Sequence, residues 1–424
     1  MALKGVEGFE QYNPSTAQVT LPQGGTGNAC VADLEARNNG FVQWTFCSPT
    51  ATMPTGRFSY GQCLSINPGR YFDGALVCSF QTSPTFLTVG FAFITGYPLA
   101  IGFGTSETSG GLFWPHFSVL FSTNNGQITV YGGYGAAYNL SGWGNNDMVS
   151  GGLQYLGYPL PSPETNNYGI IAISAPNCFQ VGIFQYFELQ FQLSTISAGV
   201  AQTNGSITVK SNNTTVISAT GIQNIIQAES GYTQPPLVVD TESMTPASLQ
   251  NGLWAVTLDD MYWADATSSA GLYPCNSFVG DLRVKVKLPN GVGNSTEWTP
   301  GSNGGTVGAN WQQVSHGYSL GDTEYNSSVN PEDSDLYAMS ATGATTTTAI
   351  AVQTVVSARK TDAGSRQFCP QIQTGTLTSL VGTHELSSEY GYFFDLVPTN
   401  PLTSTTWTIT TGVDEAQVGI YDYS

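Results

Sequence analysis

Apolar and polar residues alternate with a period of two along most of this chain, and that pattern commits it to a fold made of β-sheet. In Phe187-Glu188-Leu189-Gln190-Phe191-Gln192-Leu193 every second residue is apolar. Successive side chains of a strand point to opposite faces, so such a segment has one buried and one polar face. Asp281–Leu288 repeats the pattern, with Leu282, Val284, Val286 and Leu288 on one face and Arg283, Lys285 and Lys287 on the other. It reads as a half-buried antiparallel strand. Ser206–Lys210 and Thr214–Ser218 flank Ser211-Asn212-Asn213, where asparagine tolerates positive φ, so a hairpin is expected. The uncharged stretch Thr85–Phe103 is broken by Gly90, Gly96, Pro98 and Gly102. It is read as one buried strand, a turn and the start of another, and not as a membrane span. Trp254–Leu258, Ala349–Ala358, Tyr390–Asp395 and Trp407–Ile409 add further strands, and Thr245 followed by Pro246 and Ala247–Gln250 predicts one short helix.

Charge is scarce, at 9% of 424 residues against about 25% in an ordinary soluble domain. What charge there is gives a net of −18. Neutralising phosphates needs clustered Lys and Arg, and none stands between Arg70 and Lys210. Nucleic acid and anionic membrane are therefore excluded as partners. The start, Met1 to Glu10, has no apolar stretch of signal-peptide length, so the expectation is a chain assembled in the cytoplasm. Seven cysteines include no Cys-x-x-Cys, which argues against zinc. Scattered buried thiols, a disulfide formed after release, and an intersubunit bridge all stay open.

Chemistry is harder to find. His116, His316 and His384 stand far apart and lack a metal-type partner at i+2 or i+4, and the chain has no Gly-x-Ser-x-Gly, P-loop or dinucleotide fingerprint. No cofactor and no catalytic residue is expected. Glycoside hydrolysis on a sandwich needs paired carboxylates, for which acids alternating along one strand are the signal. The nearest string is Asp240-Thr241-Glu242 with Val238 before it, read as a loop after Pro235-Pro236. Asp259, Asp260 and Asp265 offer oxygen ligands for calcium, or else bonds to backbone amides at a strand corner. Tyr131, Tyr134, Tyr138 and Trp143, in a Gly- and Asn-rich excursion, suit glycan stacking or loop packing. Arg283, Lys285 and Lys287 form either a solvated strand face or a docking stripe for an acidic neighbour.

Several separated stretches resemble a family of tailed-bacteriophage virion proteins with a concanavalin-like (laminin-G-like) N-terminal domain. They are Met1-Ala2-Leu3 with Gly8–Tyr12, Arg57–Leu64, Val89–Phe93, and above all Leu258–Asp265 followed by Phe278–Val284. Pro289, Glu297–Pro300, Asn310, Gly321–Tyr325, Asp335–Tyr337, Val355–Arg366 and Trp407–Ile409 continue the match. The resemblance implies an all-β chain: a concanavalin-like jelly-roll sandwich at 1–288, an ordered linker at 289–335, and a smaller C-terminal β-sandwich domain at 336–424. It implies a non-enzymatic structural component of the virion, on the tail, neck or capsid exterior. Such a protein would dock onto other virion proteins and self-associate symmetrically. The alternative is a carbohydrate-binding module for host surface glycan, and the third reading is a polysaccharide-degrading enzyme, which requires two carboxylates in a groove.

Overall fold

The computed structural model describes residues 2–20, 26–37, 42–47, 52–59, 62–66, 75–80, 86–94, 99–107, 112–122, 125–132, 138–139, 170–198, 200–224, 237–243, 256–265, 278–303 and 307–423. The fold is all-β, in antiparallel sheets, with a jelly-roll sandwich in its N-terminal part. The first sheet runs in the order Ala2–Glu7, Val256–Asp265, Phe86–Ile94, Gln185–Gln192, Gly205–Ser211, Thr214–Ile222, with Leu64–Ile66 pairing to Val256–Asp265. The second runs Ile170–Ile173, Gln127–Gly132, Leu112–Ser122, Leu99–Glu107, Leu237–Ser243, Ala75–Phe80, Val42–Cys47, with Tyr138–Asn139 beside Leu112–Ser122. The predicted hairpin forms, and Asn212 and Asn213 at its turn take φ of 45° and 66°.

Alternation puts one face of each sheet into a shared core, and phenylalanine fills it. Phe93 meets Phe121 edge to face with ring centroids 4.9 Å apart, and Phe103 meets Phe191 at 5.2 Å. These rings come from opposite sheets, so each pair joins the layers, at about 0.5–1.5 kcal/mol beyond burial alone.

The outer face of the first sheet is apolar as well. Leu3, Ala92, Tyr186, Tyr262 and Ala264 form a second cluster there, against which Val279, Leu282, Ile350, Ala351 and Leu396 pack. Gly90 makes this possible, since a Cβ at that position would sit 2.0 Å from the Tyr262 ring. The covering residues belong to the segment 278–288 and to the C-terminal part of the chain. That part has a sheet ordered Pro289–Thr296, Ser334–Met339, Gln417–Asp422, Gln367–Thr374, Leu377–Leu380, and a core around Trp407, Ile372 and Ile409. The segment 289–335, read as a connection, thus supplies an edge strand of this sheet.

One strand assignment is corrected. Asp281–Leu288 belongs to no ladder. Its alternation has another cause: Leu282 faces the first sheet, while Lys285 and Lys287 reach the C-terminal part. A segment sandwiched between two layers shows the same period as one between core and water. The predicted helix at 245–250 lies outside the described residues.

Candidate functional site

The residues singled out from the sequence go to three places. Asp259 and Asp260 sit on Val256–Asp265 at a bulge, where Asp260 takes a φ of 50°. Asp259 accepts hydrogen bonds from the backbone N–H groups of Arg57 (2.7 Å) and Asp260 (2.9 Å), and Asp260 accepts one from Val284 (2.8 Å). Arg57 is 3.6 Å from Asp260 and grips Asp281 with two bonds of 2.7 Å. Asp265 is instead 3.6 Å from Lys4. Among the described residues no group of three His, Cys, Asp or Glu is placed to hold a metal ion. These acids fasten the loop at Arg57 and the segment 278–288 to the sheet. Burial, with the neighbouring Asp260, pushes Asp259 up to about 7; burial outweighs Arg57 and lifts Asp260 to about 6. Glu10, buried beside Asp259, rises to about 9.

The cationic stripe does dock, but within its own chain. Lys285 donates to the Thr342 carbonyl, and Lys287 donates to the Val413 carbonyl and lies 3.6 Å from Asp414. The Arg283 guanidinium lies over the Phe58 ring at 4.7 Å. The acidic neighbour expected of this stripe therefore includes Asp414. Of the proposed glycan contacts, Tyr131 and Tyr138 are strand residues of the second sheet, while Tyr134 and Trp143 lie outside the described residues.

The acids dismissed as a loop are the ones the fold promotes. Asp240 and Glu242 lie on Leu237–Ser243, a strand paired on both sides inside the second sheet. Val239 stands opposite Phe103, which is wholly buried in the sandwich core. Asp240 and Glu242 occupy the strand positions that alternate with Val239. Two positions along a strand separate their backbones by about 6.7 Å. Their ladder partners are small on one side, Gly102 for Asp240 and Ala100 for Glu242; on the other they are Val77 and Ala75. The strands of this sheet contain no Lys or Arg, and its acids are Glu107, Asp240 and Glu242. The signal was present as an i, i+2 acid pair between β-branched residues, but Pro235-Pro236 hid it.

No family model matches the chain, and no curated protein does. Among solved structures, it is similar to an endo-β-1,4-glucuronan lyase from the fungus Trichoderma reesei, at 12% identity and a TM-score of 0.32, covering 55% of this chain and 94% of that one. A marine alginate lyase from Aplysia kurodai is 10% identical with a TM-score of 0.34, over 60% of this chain and 100% of the other. The Emp46p carbohydrate recognition domain is 10% identical with a TM-score of 0.30, over 56% and 96%. At these identities the similarity concerns the sandwich fold and not a shared activity.

These findings correct the expectation of a non-enzymatic structural virion component. Sandwiches of this kind occur in polysaccharide lyases as well as in a carbohydrate recognition domain, so the exclusion of enzyme activity is withdrawn. The structure also gives the physical reason for the error. The stretches that carried the resemblance best, Leu258–Asp265 and Phe278–Val284, join the sandwich to the rest of the chain, and such contacts carry architecture without specifying a reaction.

Proposed function

We propose that the chain is a polysaccharide-degrading enzyme whose carboxylate pair is Asp240 and Glu242, acting on a neutral glycan laid across the second sheet. The observation that carries this reading is the placement of the two acids at alternate positions of an inner strand, flanked by Gly102, Ala100 and Ala75. Their backbone spacing of about 6.7 Å lets the two carboxyl groups fall within the roughly 5–9.5 Å used by glycosidases. One carboxyl donates a proton to the leaving glycosidic oxygen as the C–O bond breaks. The other attacks the anomeric carbon or activates the water that does, and the water's oxygen ends on that carbon.

Charge supports a neutral substrate. A uronate polymer meets no Lys or Arg on the strands of this sheet and a chain of net charge −18, a field that repels polyanions. Hydrolysis of a neutral glycan needs no cation to bind the polymer.

The test is digestion of neutral glucans, xylans and mannans, with alginate alongside, followed by chromatography of the products. Reducing ends released from a neutral glycan, and lost in Asp240→Asn and Glu242→Gln, support the proposal. Unsaturated uronate products from alginate, full activity in both variants, or glycan binding without cleavage each overturn it.

A further inference from the structure

We propose that the segment 278–288 is a pH-operated strap: it lies clamped over the first sheet while Glu10 keeps its proton, and lifts around Val284 when Glu10 ionises. Backbone groups hold the strap at both ends. The N–H groups of Val279, Gly280 and Asp281 donate to the Tyr262 hydroxyl (3.2 Å), Glu188 Oε1 (2.7 Å) and Asn213 Oδ1 (3.1 Å). Further along, the Val284 N–H donates to Asp260 Oδ1 (2.8 Å). Lys285 and Lys287 then carry the strap onto the C-terminal part through the carbonyls of Thr342 and Val413.

Glu10 is the weak point beneath it. A Cβ on Gly8 would collide with both Glu10 Oε2 and the Val284 side chain, so the carboxyl and the strap meet above the same glycine. Glu10 Oε2 is buried and has no hydrogen-bond partner among the described residues. A neutral carboxyl tolerates such a place, whereas an ionised one needs donors or water. Glu7 shows the contrast, since its two oxygens accept from the Phe9 N–H, Gln11 Nε2 and the Tyr12 hydroxyl. To hydrate an ionised Glu10, the layer above it has to move, and Val284 belongs to that layer.

The charged and titratable groups around this cluster come from several elements. Glu7 lies on the first strand, Asp259 and Asp260 at the bulge, Arg57 and Cys63 on the loop beside it, and Tyr186 on Gln185–Gln192. Asp281, Arg283 and Lys285 come from the strap itself, and Asp414 faces Lys285 from the C-terminal part. Arg57 is committed to Asp281 and Asp260, and Arg283 lies over Phe58. Burial and the three acids push the Cys63 thiol up to about 12, so it stays neutral. Burial, then the charges of Asp259, Asp260 and Glu7, push Glu10 up to about 9. The ordinary glutamate value is about 4.3, so the closed strap binds a proton that the open one releases. Closure is at full strength below about pH 4.3 and weakens as pH rises to 9. The C-terminal part keeps separate holds, Gln353 on the Val6 backbone and Tyr392 on Asp33, so the opening is local.

The experiment is hydrogen exchange of the full chain between about pH 6 and 9.5, read by mass spectrometry as protection relative to the unfolded peptide at each pH. Asp259, pushed up to about 7, is already ionised in the upper half of this range. Between about pH 7.5 and 9 the wild-type strap is expected to lose protection by up to tenfold per pH unit, the slope of one released proton. The strands Gln185–Gln192 and Gly205–Ser211 should keep theirs. Glu10→Gln, which cannot ionise, should show no decline in that window. An equal decline in Glu10→Gln overturns the role of Glu10. A wild-type strap indifferent to pH, or core strands that lose protection together with it, overturns the strap. Should Glu10→Gln misfold, Asp259→Asn carries the test: with that charge gone from beside Glu10, the decline must end at lower pH, and an unmoved end overturns the proposal.

Discussion

The two sheets of the sandwich spend their charges differently. On the first sheet, acids and bases are buried and serve as joints. Glu7 accepts from Gln11 Nε2, from the Tyr12 hydroxyl (2.7 Å) and from the Phe9 backbone N–H (3.0 Å). Glu188, 1% exposed, accepts from the Tyr262 hydroxyl and the Gly280 N–H beneath the segment 278–288. Beside the sheet, at the end of the helix Ala29–Ala36, Arg37, also 1% exposed, pairs with Asp33 at 3.0 Å and is flanked by the rings of Tyr12 and Tyr392, with Tyr392 contributed by the C-terminal part of the chain. On the second sheet the strands are nearly free of charge, and two acids stand side by side without a cation in the ladder. A charge buried in holding two layers together is out of a substrate's reach. The comparison directs the search for chemistry to the sheet with fewer charges.

The difference can be broken most decisively at its two extremes. Replacing Asp240 or Glu242 by the amide is expected to cut hydrolysis by about 10²–10⁴-fold, the scale of general acid–base catalysis, with little change in unfolding midpoint. Arg37→Ala is expected to do the reverse. It leaves Asp33 without its cation, though still bonded by the Tyr392 hydroxyl and the Asn13 N–H, and empties the space between two tyrosine rings, at about 3–5 kcal/mol of stability, read from urea denaturation. Activity per folded molecule should persist. Loss of stability in the carboxylate variants, or loss of turnover alone in Arg37→Ala, would erase the contrast.

A subtler test uses pH. Burial disfavours the charged forms of Asp259 and Asp260 and pushes them up to about 7 and about 6 in the folded chain, above the ordinary aspartate range. The native state therefore binds more protons than the unfolded chain in this window. Their contribution to stability is complete below about pH 4 and is lost as pH rises toward 7. Asp259→Asn, which cannot ionise, should flatten part of that decline, and parallel slopes for wild type and variant between about pH 4 and 8 would remove Asp259 from the account. The smallest effect is expected from Lys287→Ala. The pair with Asp414 is partly solvated, so about 0–1 kcal/mol is at stake, the range of exposed ion pairs, and a larger loss would mark this contact as a main fastening of the C-terminal part.

Local pattern made much of this legible. The strands around Leu189 and Val209 follow from alternation, the strand around Phe91 from an apolar run, and the Asn212-Asn213 turn from the backbone freedom of asparagine. The joint at Glu188 was not legible, because an acid alternating with apolar residues reads as solvent-facing. It is buried here, since the segment 278–288, some 90 residues further along the chain, lies over it. Asp240 and Glu242 were misplaced for a related reason. Two prolines at 235 and 236 marked a loop, yet the strand that follows is held by partners at Gly102 and Val77, whose pairing no local signal reports.

Sequence by itself thus determined that the chain is built mainly of β-sheet, which residues alternate, where one hairpin turns, and that polyanions are poor partners. These properties are written within a few residues of one another or in the summed charge. Only the tertiary structure decided which faces meet another layer and which acids share an inner strand. A period of two records that a segment has two faces, but what each face meets is set by strands and segments distant in the chain.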